Sequence, residues 1–241
     1  MSWNQPSWNQ SSMSSPQLAD VRDERVGAFL SKVYGWMFVG LLITAVIAFA
    51  VASTPVLIET LILNRLLFWI LLFAQLGVVF YLSARVNKVA PTTAAGLFVL
   101  YSALVGVTTS VILLIYTGAS ITQTFIITAG MFGATAVFGT VTKRSLAGLG
   151  QFLFMGLIGL ILAMIVGFFW QSDALQFVIS VVGVLVFTGL TAWDAQRLKQ
   201  MAVALPDGRV GAYAVVGALS LYLDFINLFF FLLRFTGNRR N

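Results

Sequence analysis

The chain has 241 residues, of which 59% are hydrophobic and 9% charged, whereas soluble domains run near 25% charged; an all-α polytopic membrane protein is expected. It holds no cysteine and no histidine, which excludes disulfides, thiolate catalysis, Cys/His metal centres and imidazole-based proton sensing. The net charge of +6 does not point to nucleic acid, because the basic residues sit at the ends of apolar segments, where membrane topology needs them.

Residues 1–28 are polar and open with a short repeat, Ser2-Trp-Asn-Gln-Pro6 and Ser7-Trp-Asn-Gln-Ser11. So little apolar content predicts a disordered tail with no signal-peptide core. A short surface helix is expected from about Asp20 to Arg25. About twenty apolar residues cross a bilayer core, and seven such stretches follow within residues 29–236. They fall near 33–52, 66–84, 93–115, 122–141, 149–170, 175–194 and 212–235. In the fourth, the Ala129/Gly133 and Gly130/Ala134 pairs have the small-xxx-small spacing that lets helices approach closely. Residues 237–241 form a short basic tail.

Ten basic residues would gather on one side: Arg22, Arg25, Lys32, Arg85, Lys88, Lys143, Arg144, Arg197, Lys199 and Arg209. The positive-inside rule makes that side cytoplasmic, with the N-terminus there. Seven spans then leave Arg234, Arg239 and Arg240 outside, against the rule. A re-entrant last segment would return them inside, but some 24 apolar residues argue for a full span.

The last span carries the strongest functional signal. Ser220, Asp224 and Asn227 follow at helical steps of four and three, with Gly217 and Arg234 on about the same stripe. A carboxylate at bilayer depth costs roughly 2.5–17 kcal/mol, so Asp224 must be paired, protonated or wet, and Gly217, Ser220 and Asn227 read as a pore-lining seam. Asp194 closes the sixth span, 30 residues earlier and on the adjacent antiparallel helix. The spacing allows the two carboxylates to meet near the inner leaflet. There they could not both ionise cheaply and would share one proton. Arg85, at the end of the second span, competes for Asp194, which gives a latch that rearranges to open a path. Clustered Asp oxygens also suit Ca²⁺ as transient ligands. For Asp194 the plain alternative is an interfacial carboxylate paired with Arg197. No Ser/His/Asp arrangement, P-loop or dinucleotide fingerprint occurs, so no enzyme activity and no tightly bound cofactor are expected.

Leu221-Tyr-Leu-Asp-Phe-Ile-Asn-Leu-Phe229 followed by Leu232-Leu-Arg234 resembles the signature segment of the Bax inhibitor-1 (TMBIM; bacterial YccA/YbhL-like) family. Thr188-Gly-Leu-Thr-Ala-Trp-Asp-Ala-Gln-Arg-Leu-Lys199 resembles its sixth-span motif, and Phe138-Gly-Thr-Val-Thr-Lys-Arg-Ser-Leu146 its fourth-loop motif. Trp193 stands where a Tyr is common. The resemblance covers about residues 25–237. It implies six helices around a central seventh. It also implies a pH-sensitive calcium leak governed by two aspartates, matching Asp194 and Asp224, with a latching arginine matching Arg85. The expected activity is thus a passive Ca²⁺ leak of a bacterial inner membrane. The alternative is a membrane-embedded regulator of a quality-control protease or another membrane partner. A proton-coupled exchanger finds no inverted repeat in its support.

Overall fold

In the computed structural model, residues 15–170, 172–206 and 209–240 are described, and among them the chain is helical without strands. The helices are α1 (Ser15–Ala52), α2 (Pro55–Leu57), α3 (Arg65–Arg85), α4 (Pro91–Ile115), α5 (Gly118–Val141), α6 (Ala147–Phe169), α7 (Asp173–Ala204) and α8 (Val210–Thr236). A π-helical turn, Ile58–Ile62, links α2 to α3. Seven of these helices are long and apolar enough to cross a membrane, and the protein is an all-α integral membrane bundle.

The starts of the spans are written locally. Asn64, Thr117 and Ser172 each accept a backbone N–H of the following first turn, from Leu67, Ser120 and Leu175, which satisfies donors a helix N-terminus otherwise leaves orphaned. Pro91 stands at the first turn of α4, where its missing N–H costs nothing.

Helix α8 is the centre of the bundle. It packs against α1, α4, α5 and α7, whereas α3 stands mainly on α4 and α6 on α7. Two thirds of its span window, 67%, is buried within the protein. It runs unbroken over 27 residues, so the last segment is a full span and not a re-entrant one. The residues after it fold back on the turn between α4 and α5: Arg240 N–H donates to Ile115 O (2.8 Å), Thr117 N–H to Asn238 O (3.2 Å) and Asn238 N–H to the Ser120 hydroxyl (2.9 Å). The C-terminus therefore leaves on the face carrying the α4–α5 turn, opposite the face carrying the start of α1. These are called the C-terminal and N-terminal faces below.

Two helices run longer than the sequence suggests. Residues 1–14 of the predicted tail lie outside the described residues, but from Ser15 onward the chain is already α1. Val26, Phe29, Leu30, Val33 and Met37 are buried at helical spacing, and this stripe carries the helix out of the hydrocarbon. At 38 residues α1 is about 57 Å long, and the 32 residues of α7 make about 48 Å, against about 30 Å of hydrocarbon. Both overhang on the N-terminal face, where the Arg25 guanidinium donates to Leu205 O at the end of α7.

The close approach expected at Ala129–Ala134 is not there. Gly130 and Gly133 have open space beside them, and the buried stripe of α5 is Thr124, Thr128, Phe132, Ala136 and Gly139. A Cβ on Gly139 would lie 2.0 Å from Ala192 O, so this is where α5 and α7 come backbone to backbone. The small pairs upstream fall on the outer face, because a helix turns a different side to its neighbours one residue over.

Candidate functional site

The site is built between α7 and α8. Phe231 stacks on Phe187 at 5.8 Å and lies over Gly183, while Gly217 takes the side chain of Leu198. Between these contacts the antiparallel register sets Asp194 about level with Ser220. Asp224 then lies one helical turn, about 6 Å, further toward the C-terminal face. Because α7 continues ten residues past Asp194, Asp194 is an interior residue of its helix and does not cap it.

Both carboxyl groups are removed from solvent, Asp194 at 8% and Asp224 at 5% exposure. They lie on facing helices that pack along their length. Their surroundings differ. Asp194 has an ion pair with Arg197 one turn on (Nη1–Oδ1 3.8 Å), and that half-exposed guanidinium also lies over the Trp193 ring at 5.4 Å. Asp224 Oδ2 is buried with no hydrogen-bond partner among the described residues. The described contacts include no hydrogen bond between the two carboxyls, which the register sets about a turn apart. Such an orphaned oxygen is rare and needs an explanation. Further toward the C-terminal face on α7, Thr188 Oγ1 is a second buried oxygen with no partner among the described residues. Sequence reasoning passed over it, since a lone Thr in an apolar span gives no signal.

Toward the C-terminal face, aromatic rings gather beyond Asp224, and Phe125, Phe225 and Phe229 line an apolar cavity of about 250 Å³. Phe225 meets Phe125 and Phe132, each at 5.5 Å, and Phe125 also meets Phe229 at 6.5 Å. On the α1–α4 side, Tyr222 is fully buried, with its hydroxyl 2.6 Å from Thr44 Oγ1 and its ring edge-on to Phe98 and Tyr101. Thr44 Oγ1 donates to Ser102 O (2.9 Å), leaving the Tyr222 hydroxyl to donate to Thr44. Toward the N-terminal face, Asp194 and the exposed Arg197 lead outward. The site is thus flanked by a charged side chain toward one face and by aromatic rings toward the other.

The remaining predicted residues divide. Ser220 and Asn227 are half-buried on α8 as their stripe requires, but the Asn227 amide donates to Leu223 O in its own helix (2.8 Å). Gly217 is buried and serves close packing, since a Cβ there would lie 2.5 Å from Leu198 Cδ2. Arg85 is not brought to the aspartates. It is exposed at the end of α3, a helix that packs on α4, and the cation beside Asp194 is Arg197. The described residues include no group of three acidic side chains arranged to hold a metal ion.

Comparison with known proteins agrees with this architecture. The family model described as inhibitor of apoptosis-promoting Bax1 matches residues 26–241. The chain is 46% identical over 230 residues to the inner membrane protein YbhL of Escherichia coli K12, covering 93% of this chain and 98% of that one. It is 47% identical over 215 residues to a protein of Borreliella burgdorferi, covering 88% and 93%. To the Rickettsia prowazekii protein RP147 it is 41% identical over 220 residues, covering 91% and 93%. With a buried aspartate at the heart of its last span, a second one turn away on the preceding helix, and this likeness along nearly its whole length, the chain belongs to the Bax inhibitor-1 family.

Proposed function

We propose that the protein is a passive, pH-sensitive cation leak for Ca²⁺, gated by Asp194 and Asp224. The observation that carries this reading is the unpartnered Oδ2 of Asp224 at the centre of the bundle, one turn from a second carboxyl. A buried carboxylate without a donor is costly, and a chain keeps one where charge must come and go. When either acid holds a proton, repulsion between the two is relieved and the helices can stay closed beside the aromatic rings. When both are ionised, repulsion in a low dielectric favours parting α7 from α8 and admitting water and a cation. Two carboxylates supply fewer than the six to eight oxygens Ca²⁺ prefers, so a passing ion keeps much of its water and is not trapped.

Arg197 is the cation beside Asp194, and Arg85 would engage only after α3 moves. The surplus of basic residues on the N-terminal face supports placing that face in the cytoplasm. The name of the Escherichia coli relative supports an inner membrane. The test is Ca²⁺ flux into liposomes across acidic to neutral pH. The wild-type protein is expected to show pH-dependent flux. Asp194→Asn and Asp224→Asn should each change its size and flatten its pH profile, and Arg197→Gln should move the profile toward higher pH. Flux that is the same in all four proteins at every pH rejects the proposal.

The long overhang of α1, exposed at Arg22, Asp23 and Glu24, favours a second reading: a regulator that meets a membrane protease or another membrane protein through this surface. Deleting residues 1–25, which removes this surface, would then abolish partner capture and leave flux intact.

A further inference from the structure

The overhangs of α1 and α7 and the loop between α5 and α6 enclose a cavity of about 690 Å³ on the N-terminal face, whose walls include neither Asp194 nor Asp224. Three separate parts of the chain send cations to it: Arg22 from α1, Lys143 and Arg144 from the loop, and Lys199 from α7. A single acid, Asp23, is among its walls, so four positive charges face one negative charge. Topology alone asks for basic residues somewhere near the span ends. It does not ask that they converge on one hollow, where like charges repel.

The walls are fixed before anything enters. The Gln196 amide donates to Arg144 O (2.8 Å) while its carbonyl accepts Leu146 N–H (2.8 Å), clamping the loop to α7. The Lys199 ammonium donates to Thr140 O at the end of α5 (2.8 Å), which holds that charge at the cavity edge. Lys143 and Arg144 themselves are exposed, so their guanidinium and ammonium donors are available. Guanidinium groups match phosphate oxygens in a planar fork, and an ammonium serves as a point charge beside it. The height is also suitable. Val141 ends α5, a helix long and apolar enough to cross a membrane, and the cavity begins at Thr142 just beyond it, the position at which a basic hollow between spans would meet anionic headgroups.

We propose that this cavity is a binding site for a phosphate-bearing anion, and that its occupant is the headgroup of an anionic membrane phospholipid. The bound phosphate would bridge the α5–α6 loop to the ends of α1 and α7. It would thereby brace the part of the bundle from which Asp194 is reached.

The experiment uses the full chain in a nonionic detergent, titrated with phosphatidylglycerol or with phosphatidylcholine. Retained lipid is counted by native mass spectrometry, and the melting temperature is followed in parallel. Phosphatidylglycerol is expected to be retained and to raise the melting temperature, and phosphatidylcholine to do neither. The Lys143→Gln/Arg144→Gln double variant removes two surface charges without touching the clamp. It should weaken phosphatidylglycerol binding roughly thirtyfold, as the loss of two near-surface cations implies. Lys199→Gln should weaken it severalfold. Lys88→Gln removes a cation of the same face outside the cavity and should bind as wild type, and Lys143→Arg/Arg144→Lys should keep binding. Equal weakening by Lys88→Gln and Lys199→Gln would mean a diffuse positive rim and overturns the site. Inorganic phosphate or glycerol 3-phosphate at millimolar concentration provides the second arm. If either displaces phosphatidylglycerol and alone reproduces the rise in melting temperature, the occupant is a soluble phosphate and the lipid assignment falls.

Discussion

Helices α3 and α8 are both apolar enough to cross a membrane, yet 6% of the span window is buried in α3 and 67% in α8. Phe73, Leu76 and Phe80 of α3 stand exposed on the outside of the bundle. In α8 the equally apolar Leu221, Leu228 and Leu233 are sealed inside. Lipid tails are as apolar as leucine, so no hydrophobic force sorts one helix from the other. What sorts them is the minority of small and polar residues. Gly217 lets α8 close on Leu198, and Tyr222 finds Thr44, while α3 offers one amide, Gln75, bonded to its neighbour α4. Apolar length decides that a helix enters the bilayer; small and polar side chains decide where it stands.

The sharpest way to break that distinction is to add one methyl group at the centre and one at the edge. Gly139→Ala would drive a Cβ against the backbone of Ala192 at 2.0 Å, where nothing flexible can yield. It should cost about 3 kcal/mol or more, read as a large fall in the midpoint of unfolding in detergent. Gly77→Ala on α3 has nothing within 4 Å and should stay within about 0.5 kcal/mol of wild type.

Next in size comes the buried polar centre. Asp224→Leu removes an unpartnered carboxyl, and it should hold or raise the same midpoint by about 1 kcal/mol while abolishing pH-dependent flux. A fall in stability would mean the carboxyl has a structural partner. Tyr222→Phe leaves the ring in place but deletes the hydroxyl on Thr44. It should cost about 1 kcal/mol, additive with any change on α3. The smallest effect is expected of Phe73→Leu, which faces lipid at 65% exposure and should leave stability and flux unchanged within error.

Much of the α8 side of this contrast was legible in the sequence. The stripe of Gly217, Ser220, Asp224 and Asn227 required that α8 turn one face to protein or water, while its central place was what the family resemblance implied. The nearness of Asp194 and Asp224 followed from their spacing across one short loop. The overhang of α7 did not, since Arg197 and Lys199 read as a span end although Ala195, Leu198 and Ala202 continue buried beyond it. Nor did the choice of Arg197 over Arg85 beside Asp194. That depends on α3 lying at the edge, and a peripheral and a central helix have the same apolar signature. The small pairs of α5 misled for a related reason: spacing marks a face, but only the neighbouring backbone shows which face is used.

The bond from Arg25 to Leu205 bears on how the protein is made. It joins the first span to the end of the next-to-last, and Val33 of α1 also lies against Gly217 of α8. While the ribosome is still building the middle of the chain, the inner stripe of α1 has only α4 to lean on. The leading helix must therefore wait in the bilayer, partly unsheltered, until the final fifty residues emerge and slide in beside it.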